Sequence, residues 1–264
     1  MPPLAATPWV SISMSYLESI RSRENAIRFF QIFSSVYANL GFELMGQWEP
    51  LRDKFDIDRA ILEWETNRGM PGHAVYGDYI YYGKKPAKFS AFVHWHDPEN
   101  HGRWIDTISV MLNEKFWTKG NLEDPSGRAL TLLKELATLS KPLYGRAFHS
   151  AEFEEKDFRD HVLQDGRVAR ESISLTPREG LVDLFWANFF GKPLENLFGL
   201  QRLQSIRANL SQSTDRGSLL VFGNDPLDWN NPDVLAMQSK AREEFDSGAF
   251  YDKVTNQKPT LHFL

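Results

Sequence analysis

The chain has 264 residues, of which 42% are hydrophobic and 25% charged, and its formal net charge is −5 at pH 7. These fractions are typical of a folded protein and exclude a disordered chain. Because the chain contains no cysteine, disulfide scaffolds, cysteine-based zinc sites and thiol nucleophiles are excluded as well. The acidic balance argues against direct nucleic-acid binding, which needs a basic surface, and is compatible with a basic partner.

The N-terminus and the most hydrophobic segment predict a cytoplasmic protein without membrane contact. The first residues lack the charged and hydrophobic regions of a signal peptide. No run of residues approaches the roughly 18 hydrophobic residues of a membrane span. The most hydrophobic segment, Leu181–Phe190, is short and is interrupted by Asp183 and Asn188.

The first 150 residues predict elements in the order β-α-β-β-β-α-β. Trp9–Tyr16 alternates apolar with small polar residues, as a strand does. Glu24–Leu40 has apolar residues at helical spacing, and Gly41 is expected to end that helix. The other predicted elements are a short helix at Ile57–Trp64, a turn at Asn67–Gly72, strands at Ala74–Tyr82, Phe89–Trp95 and Trp104–Leu112, a helix opened by Asp124-Pro125, and a strand at Tyr144–Ser150. This order predicts an α+β fold, an antiparallel sheet with helices packed on one face, derived from a ferredoxin-like unit.

The rest of the chain predicts a smaller part built from helices and strands. Residues 152–172 are charged and weakly periodic, as in a connector, and Thr176-Pro177-Arg178-Glu179 predicts a capping box that starts a helix ending near Gly191. The other predicted elements are a helix at Leu194–Leu203, strands at Ser205–Leu210 and Ser218–Phe222, a helix from Asn231-Pro232 to about Phe245, and a docking tail at Pro259–Leu264. We expect two subdomains, residues 1–150 and 173–264, that share one core in a single compact protein.

Histidines at alternate positions of one predicted strand raise the possibility of a metal site. The residues are His94, His96 and Asp97, with His101 nearby. Side chains at i and i+2 of a strand point to the same side, and a transition metal accepts two imidazoles and a carboxylate. This pattern makes a metal-dependent enzyme the alternative function. We favour two histidines at a sheet edge, because two such residues alone do not make a site, and we expect no cofactor.

Two acidic segments are candidate contacts for a protein partner. They are the cluster Glu152, Glu154, Glu155, Asp157 and Asp160, and the loop with Asp225, Asp228 and Trp229. An acidic run is usually a solvated face, but on a rigid surface it can face a basic cleft and speed association. Residues 1–149 carry 17 basic and 17 acidic side chains, whereas residues 150–264 carry 13 and 18. The net negative charge therefore belongs to the second half of the chain.

Three segments in the last third of the chain resemble bacterial immunity proteins. They are FWANFFG at 185–191, LFGLQRL at 197–203 and GSLLVFGNDPLDWNNPDV at 217–234, and their order resembles that of immunity protein family 52. The resemblance implies a protein of polymorphic-toxin or type VI secretion systems that binds and neutralises a cognate toxin, a nuclease with a basic cleft. It implies binding rather than enzymatic activity and carries over no catalytic residue. A third hypothesis, a small-ligand-binding domain, would require a deep apolar pocket.

Overall fold

The alternation of apolar and small polar residues in the first strand divides the sheet into two different faces. Strand β1 (Trp9–Tyr16) buries Val10, Ile12 and Met14 completely on one face, and the intervening serines belong to the other face because strand side chains alternate.

The computed structural model describes residues 8–47, 51–66, 76–82, 88–96, 105–119, 122–163, 165–245 and 247–260.

Ten strands of the described residues form one sheet in which every neighbouring pair is antiparallel. The strands after β1 are β2 (Leu44–Gly46), β3 (Asp53–Lys54), β4 (Tyr76–Tyr82), β5 (Phe89–His96), β6 (Asp106–Asn113), β7 (Pro142–His149), β8 (Phe158–Val162), β9 (Val168–Ser172), β10 (Ala187–Gly191), β11 (Leu210–Ser213) and β12 (Gly217–Val221). The spatial order is β11-β12-β10-β7-β1-β6-β5-β4-β2-β3, and β8 pairs with β9 in a separate hairpin.

The described residues form eight α-helices. They are α1 (Arg23–Val36), α2 (Ile57–Thr66), α3 (Glu114–Thr118), α4 (Pro125–Leu136), α5 (Ser150–Asp157), α6 (Lys192–Phe198), α7 (Leu200–Ser205) and α8 (Pro232–Glu244). Short 3-10 turns lie at Pro226–Asp228 and Ser247–Ala249. None of the helices in the described ranges has both the length and the apolar character needed to span a bilayer.

The apolar face of β1 forms the main core together with α1, α2 and α4. Phe29 and Phe33 of α1, Trp64 of α2 and Leu133 of α4 are completely buried there. The same cluster includes Phe189 of β10, and β10 pairs with β7. The sheet and this core therefore contain elements from both predicted subdomains. The division into residues 1–150 and 173–264 stays a prediction.

The second face of the sheet changes character along its width. At β10 and β12 it is apolar, and Phe190 and Leu220 pack in a second cluster with Leu194 of α6, Leu203 of α7 and Val234 of α8. At β1 and β6 it carries serine and threonine. The predicted α+β class and antiparallel sheet are confirmed. Helices cover the second face as well at β10 and β12, where its side chains are apolar, because those side chains must also leave water.

Several predicted elements are confirmed by the structure. Trp9–Tyr16 is β1 with the predicted bounds, the three strands predicted between residues 74 and 112 form the meander β4-β5-β6, and Asp124 caps α4. Gly41 does not end the first helix, which ends at Val36 with Tyr37 at its C-cap. The predicted turn at Asn67–Gly72 lies outside the described residues. Of the predicted tail, Pro259 is buried. It packs so closely on Gly180 that a Cβ atom at position 180 would overlap the proline ring.

The helix predicted from the capping box at Thr176 is wrong. The backbone N–H of Thr176 does donate to Glu179 Oε2 at 2.9 Å, but only a turn follows, and Ala187–Gly191 is strand β10. Phe189 and Phe190 enter opposite clusters, which requires the two-residue period of a strand. Pairing with β7 and β12 therefore outweighs a local cap.

Three other segments of the second half also differ from the prediction. Residues 152–172 form α5 and the β8–β9 hairpin instead of a connector. The predicted helix Leu194–Leu203 is two helices, because Gly199 has a φ of +88° and ends α6. The strand predicted at Ser205–Leu210 begins only at Leu210.

The predicted cap of the last helix offers a direct test of the local structure. Asn231 Oδ1 accepts the backbone N–H of Asp233 at 2.9 Å. We expect Asn231→Ala to lower the free energy of unfolding by about 1 kcal/mol, measured by urea denaturation. The neighbouring Asn230 is exposed, and Asn230→Ala serves as the control, with an expected change within about 0.5 kcal/mol. Equal losses in the two variants would contradict the capping role.

Candidate functional site

A cavity of about 330 Å³ lies over the polar part of the second face, where the segment 175–185 crosses the central strands. Strand register defines its floor. Ser13 of β1 lies opposite Arg146 of β7 on one side and opposite Ser109 of β6 on the other. A second row, two residues along the strands, consists of Tyr144, Ser15, Thr107 and His94. All of these residues line the cavity.

Hydroxyl groups in the two rows bond to one another across the strands. Ser13 Oγ lies 2.9 Å from Ser109 Oγ, and Ser15 Oγ lies 3.2 Å from Thr107 Oγ1. Each hydroxyl offers one donor and two acceptor positions, so a pair of hydroxyls keeps hydrogen-bonding capacity for a third group. The hydroxyls therefore make their part of the floor polar without adding charge.

Arg146 supplies the positive charge of the cavity. Its guanidinium carbon lies 5.0 Å from the ring centre of Phe148, 5.2 Å from that of Phe153 and 4.8 Å from that of Phe185. The side chain is half-buried. Within the described residues the guanidinium makes no hydrogen bond or ion pair. Its nitrogen atoms are accessible to solvent. The aromatic rings hold the cation in place and leave its N–H groups available.

The carboxylate that also lines the cavity, Asp183, is already paired. Its Oδ2 lies 3.3 Å from Nη1 of Arg242, and its Oδ1 accepts the backbone N–H of Leu184 at 2.8 Å. Arg146 acts instead on Asp157: burial raises the pKa of that carboxyl, and the positive charge of Arg146 opposes the rise. The cavity thus combines neutral hydroxyls with a cation that has no carboxylate bonded to it.

The structure does not bring the predicted acidic cluster together on one surface. Glu152 is completely buried and Asp157 is buried, whereas Glu154, Glu155 and Asp160 are exposed. Including Glu152 and Asp157 among the partner contacts is therefore corrected, since a buried carboxylate cannot touch a partner of the folded protein. The reason is helical spacing: Glu152 and Lys156, four residues apart, share the inner face of α5.

Glu152 is the centre of a buried polar network. Lys156 Nζ donates to Glu152 Oε1 at 2.7 Å, to the carbonyl of Leu184 at 2.6 Å and to Gln238 Oε1 at 2.8 Å. Gln238 Nε2 and the backbone N–H of Trp186 donate to the two carboxylate oxygens at 3.1 and 3.2 Å. Burial raises the pKa of Glu152, and Lys156 opposes that rise. The network joins α5 to α8 and to the segment before β10.

The exposed acidic residues belong to a surface formed by α5 and the β8–β9 hairpin, here called the hairpin surface. Its members are Glu154, Glu155, Asp160, Val162 and Val168. Val162 and Val168 pair across the hairpin and are 71% and 66% exposed. Arg170, which pairs with Asp160 across the strands, lies 3.9 Å from Glu154. Arg159 and Glu171, 3.8 Å apart, belong to the opposite face of the hairpin because strand side chains alternate. The surface therefore offers an apolar pair within mixed charge.

The second predicted acidic loop has mainly a structural role. Asp225 Oδ2 accepts hydrogen bonds from Trp117 Nε1 at 3.3 Å and from Ser126 Oγ at 2.8 Å. These bonds tie the loop to α3 and α4. Asp228 is exposed, and Trp229 is partly exposed. Both lie outside α5 and the β8–β9 hairpin in the chain order.

The histidine pattern is only partly within the described residues. His94 lines the cavity described above, whereas the side chain of His96 and all of Asp97 and His101 lie outside the described residues. Within the described ranges, no group of three or more histidine, aspartate or glutamate side chains is arranged to hold a metal ion.

Sequence reasoning missed the floor of the cavity, although a signal was present. The serines at positions 11, 13 and 15 alternate with completely buried residues, and such alternation predicts one apolar and one polar face. The pattern predicted the strand, but it did not reveal that a later segment would cover the polar face. Arg146 carried no signal of its own, because a single arginine in a strand is unremarkable until its neighbours are known.

Comparison with known proteins gives a structural likeness. No protein-family model matches the chain, and no curated protein matches it in sequence. A solved structure of the Pseudomonas aeruginosa T6SS protein PA0821 is similar, with a TM-score of 0.56 and 13% sequence identity over 90% of this chain and 76% of that protein. At this identity the likeness concerns the fold alone. The chain therefore shares its overall fold with a T6SS protein.

Proposed function

We propose that this chain is an immunity protein that binds a cognate bacterial toxin and neutralises it by stoichiometric inhibition. The observation that carries the proposal is the fold similarity to a T6SS protein over 90% of the chain. The resemblance of three segments between residues 185 and 234 to immunity protein family 52 suggested the proposal, and no family model matches those segments. The proposed activity is binding, and it requires no cofactor and no catalytic residue.

The toxin proposed as partner is a nuclease that acts in the cytosol. A nuclease must offer a basic cleft to its polyanionic substrate, and this chain has a net charge of −5 that belongs to its second half. Opposite charge across an interface speeds association and selects the partner. Occlusion of the cleft is the simplest mechanism of inhibition.

The hairpin surface is the part of the molecule that we assign to the toxin. Glu154, Glu155 and Asp160 supply negative charge at its rim, while the exposed pair Val162 and Val168 supplies an apolar contact. Interfaces commonly combine such an apolar centre with a charged rim. The hairpin is also attached to a fixed base, because α5 is held by the buried Glu152 network.

Co-expression with the toxin encoded next to this chain tests the proposal. We expect survival of the producing cells and a one-to-one complex of the two proteins on a sizing column. Killing that continues despite soluble expression of this chain, with no complex on the column, would overturn the proposed function.

Reversal of the charges on the hairpin surface tests where the toxin binds. We expect Glu154→Lys, Glu155→Lys and Asp160→Lys together to weaken toxin binding at least about tenfold, mainly through slower association. Surface plasmon resonance at two salt concentrations measures the dissociation constant and the association rate. The control changes three exposed acids elsewhere by the same charge, Glu43→Lys, Glu65→Lys and Glu135→Lys. Equal weakening in both triple variants would mean that overall charge acts and that this surface does not.

A further inference from the structure

We propose that the cavity over β7, β1 and β6 is a binding site for a small anion with a carboxylate or phosphate group, held by Arg146. This site is separate from the hairpin surface and does not depend on the proposed toxin binding. It also differs from the deep apolar pocket that a ligand-binding domain was expected to need, because its floor is polar.

The state of Arg146 is the first reason for this assignment. Its ring contacts with Phe148, Phe153 and Phe185, all at 4.8–5.2 Å, restrict the guanidinium. No carboxylate of the described residues bonds to it. A guanidinium has five N–H donors in a planar fork that fits carboxylate and phosphate oxygens two at a time. A cation that is already fixed loses little freedom on binding an anion.

The neighbouring hydroxyls are the second reason. Ser13 lies directly across the strands from Arg146, and Ser109 lies directly across from Ser13. One of these hydroxyls donates to the other across 2.9 Å, so the pair keeps one O–H that can donate to an oxygen of an anion bound at Arg146. The adjoining pair of Ser15 and Thr107 extends the polar floor. A cation followed by a row of hydroxyls is the donor arrangement that an oxygen-rich anion needs.

The size and charge of the cavity limit the ligand further. Its volume of about 330 Å³ is at the lower end of the range of about 300–1,000 Å³ for ligand sites, so the ligand is a small molecule. Asp183, which would repel an anion, is neutralised by Arg242 at 3.3 Å. The anion therefore meets the guanidinium of Arg146, whose charge also acts on the buried Asp157 outside the lining.

Titration of the folded, ¹⁵N-labelled protein with two anions tests the site. Sodium phosphate and sodium glutarate are added separately near neutral pH, at ionic strength held constant with sodium chloride. We expect a saturable shift of the Arg146 Nε–Hε signal and of the Ser13 and Ser109 amides. Saturation by phosphate alone assigns a phosphate ligand, and saturation by glutarate alone assigns a carboxylate. The absence of a saturable shift with both anions would overturn the proposal.

Two pairs of variants locate the binding. Arg146→Gln should weaken binding at least about tenfold, because a hydrogen-bonded charge is lost, whereas Arg52→Gln, at an exposed arginine, should leave it unchanged. Ser13→Asp should weaken binding as strongly, because its carboxylate reaches Arg146 from the opposite strand position. Ser13→Asn has the same shape without the charge and should retain binding.

The second pair keeps the proposal testable if Arg146→Gln does not fold. Equal affinity of the Ser13→Asp and Ser13→Asn variants would show that the anion does not bind at Arg146. Undiminished binding by a folded Arg146→Gln variant would lead to the same conclusion. Either result overturns the site.

Discussion

Replacement of Lys156 by methionine is expected to lower the free energy of unfolding by about 3–5 kcal/mol, because it leaves the buried carboxylate of Glu152 without its cation. Glu152 has no exposed surface. Lys156 Nζ donates to it at 2.7 Å and also to the carbonyl of Leu184 and to Gln238. The substitution therefore leaves one buried charge and two acceptors without their donor. Urea denaturation followed by tryptophan fluorescence measures the loss.

Two further variants separate the charge effect from the loss of packing. Glu155→Ala, on the exposed side of the same helix, is the control and should change stability by no more than about 0.5 kcal/mol. Adding Glu152→Gln to Lys156→Met removes the unpaired charge while the amide still accepts the N–H of Trp186. The double variant should therefore be more stable than Lys156→Met alone. A double variant that is less stable than Lys156→Met would contradict this account.

The pH dependence of the Lys156→Met variant follows from the same burial. Burial raises the pKa of Glu152 above its ordinary value of 4.5, and Lys156 opposes the rise in the unchanged protein. Without Lys156 the pKa of Glu152 in the folded state rises further above its value in the unfolded chain. Between the two pKa values the unfolded state then binds fewer protons, so stability falls as pH rises. The deficit of the variant should shrink as pH is lowered from neutral toward 4.5, and a deficit that grows would contradict the prediction.

Replacement of Trp64 by alanine is expected to cost about 3–5 kcal/mol, which is the usual range for removal of a buried tryptophan. The ring of Trp64 has no exposed surface and lies 5.4 Å from the ring of Phe29 and 6.1 Å from that of Trp95, centre to centre. Its Nε1 donates to the carbonyl of Ile20 at 2.9 Å. The substitution opens a cavity between α1, α2 and β5 and removes one of two hydrogen bonds to the Ile20 carbonyl, which keeps the backbone N–H of Ser22 at 2.9 Å.

A control on the same helix distinguishes this effect from a loss of helix propensity. Leu62 is two residues away and 53% exposed, so Leu62→Ala should change stability by no more than about 0.5 kcal/mol. Trp64→Phe keeps an aromatic ring but loses the hydrogen bond. Its loss of stability should lie between those of Leu62→Ala and Trp64→Ala. Urea denaturation measures all three variants. A loss in Leu62→Ala as large as in Trp64→Ala would mean that the helix, and not the core contact, sets the cost.

Short-range patterns predicted the first half of the fold better than the second. In β1 and the β4-β5-β6 meander, alternation and turn residues coincide with the pairing that the structure shows. In the second half, the capping box at Thr176 predicted a helix where β10 forms. That strand lies between β7 and β12, more than 20 residues away along the chain in each direction, and a local pattern contains no information about such partners.

The candidate sites show the same division between local and long-range information. The acidic residues of α5 form one run in the sequence, but helix geometry turns Glu152 inward and Glu154 outward. The cavity depends on Ser13, Ser109 and Arg146, which are brought together from three strands by the sheet register. His94 drew attention as a metal ligand in the sequence, and the structure places it at the edge of this cavity.

The sequence by itself determined the exclusion of cysteine chemistry, the α+β class, the antiparallel meander and the two capped helices at Asp124 and Asn231. These features depend on composition, on residue periods and on hydrogen bonds between residues close in the chain. Only the tertiary structure decided which charges are buried, which face of β1 is covered and where Arg146 lies. Those properties arise from strand pairing and packing between distant segments, whose free energy exceeds local preferences.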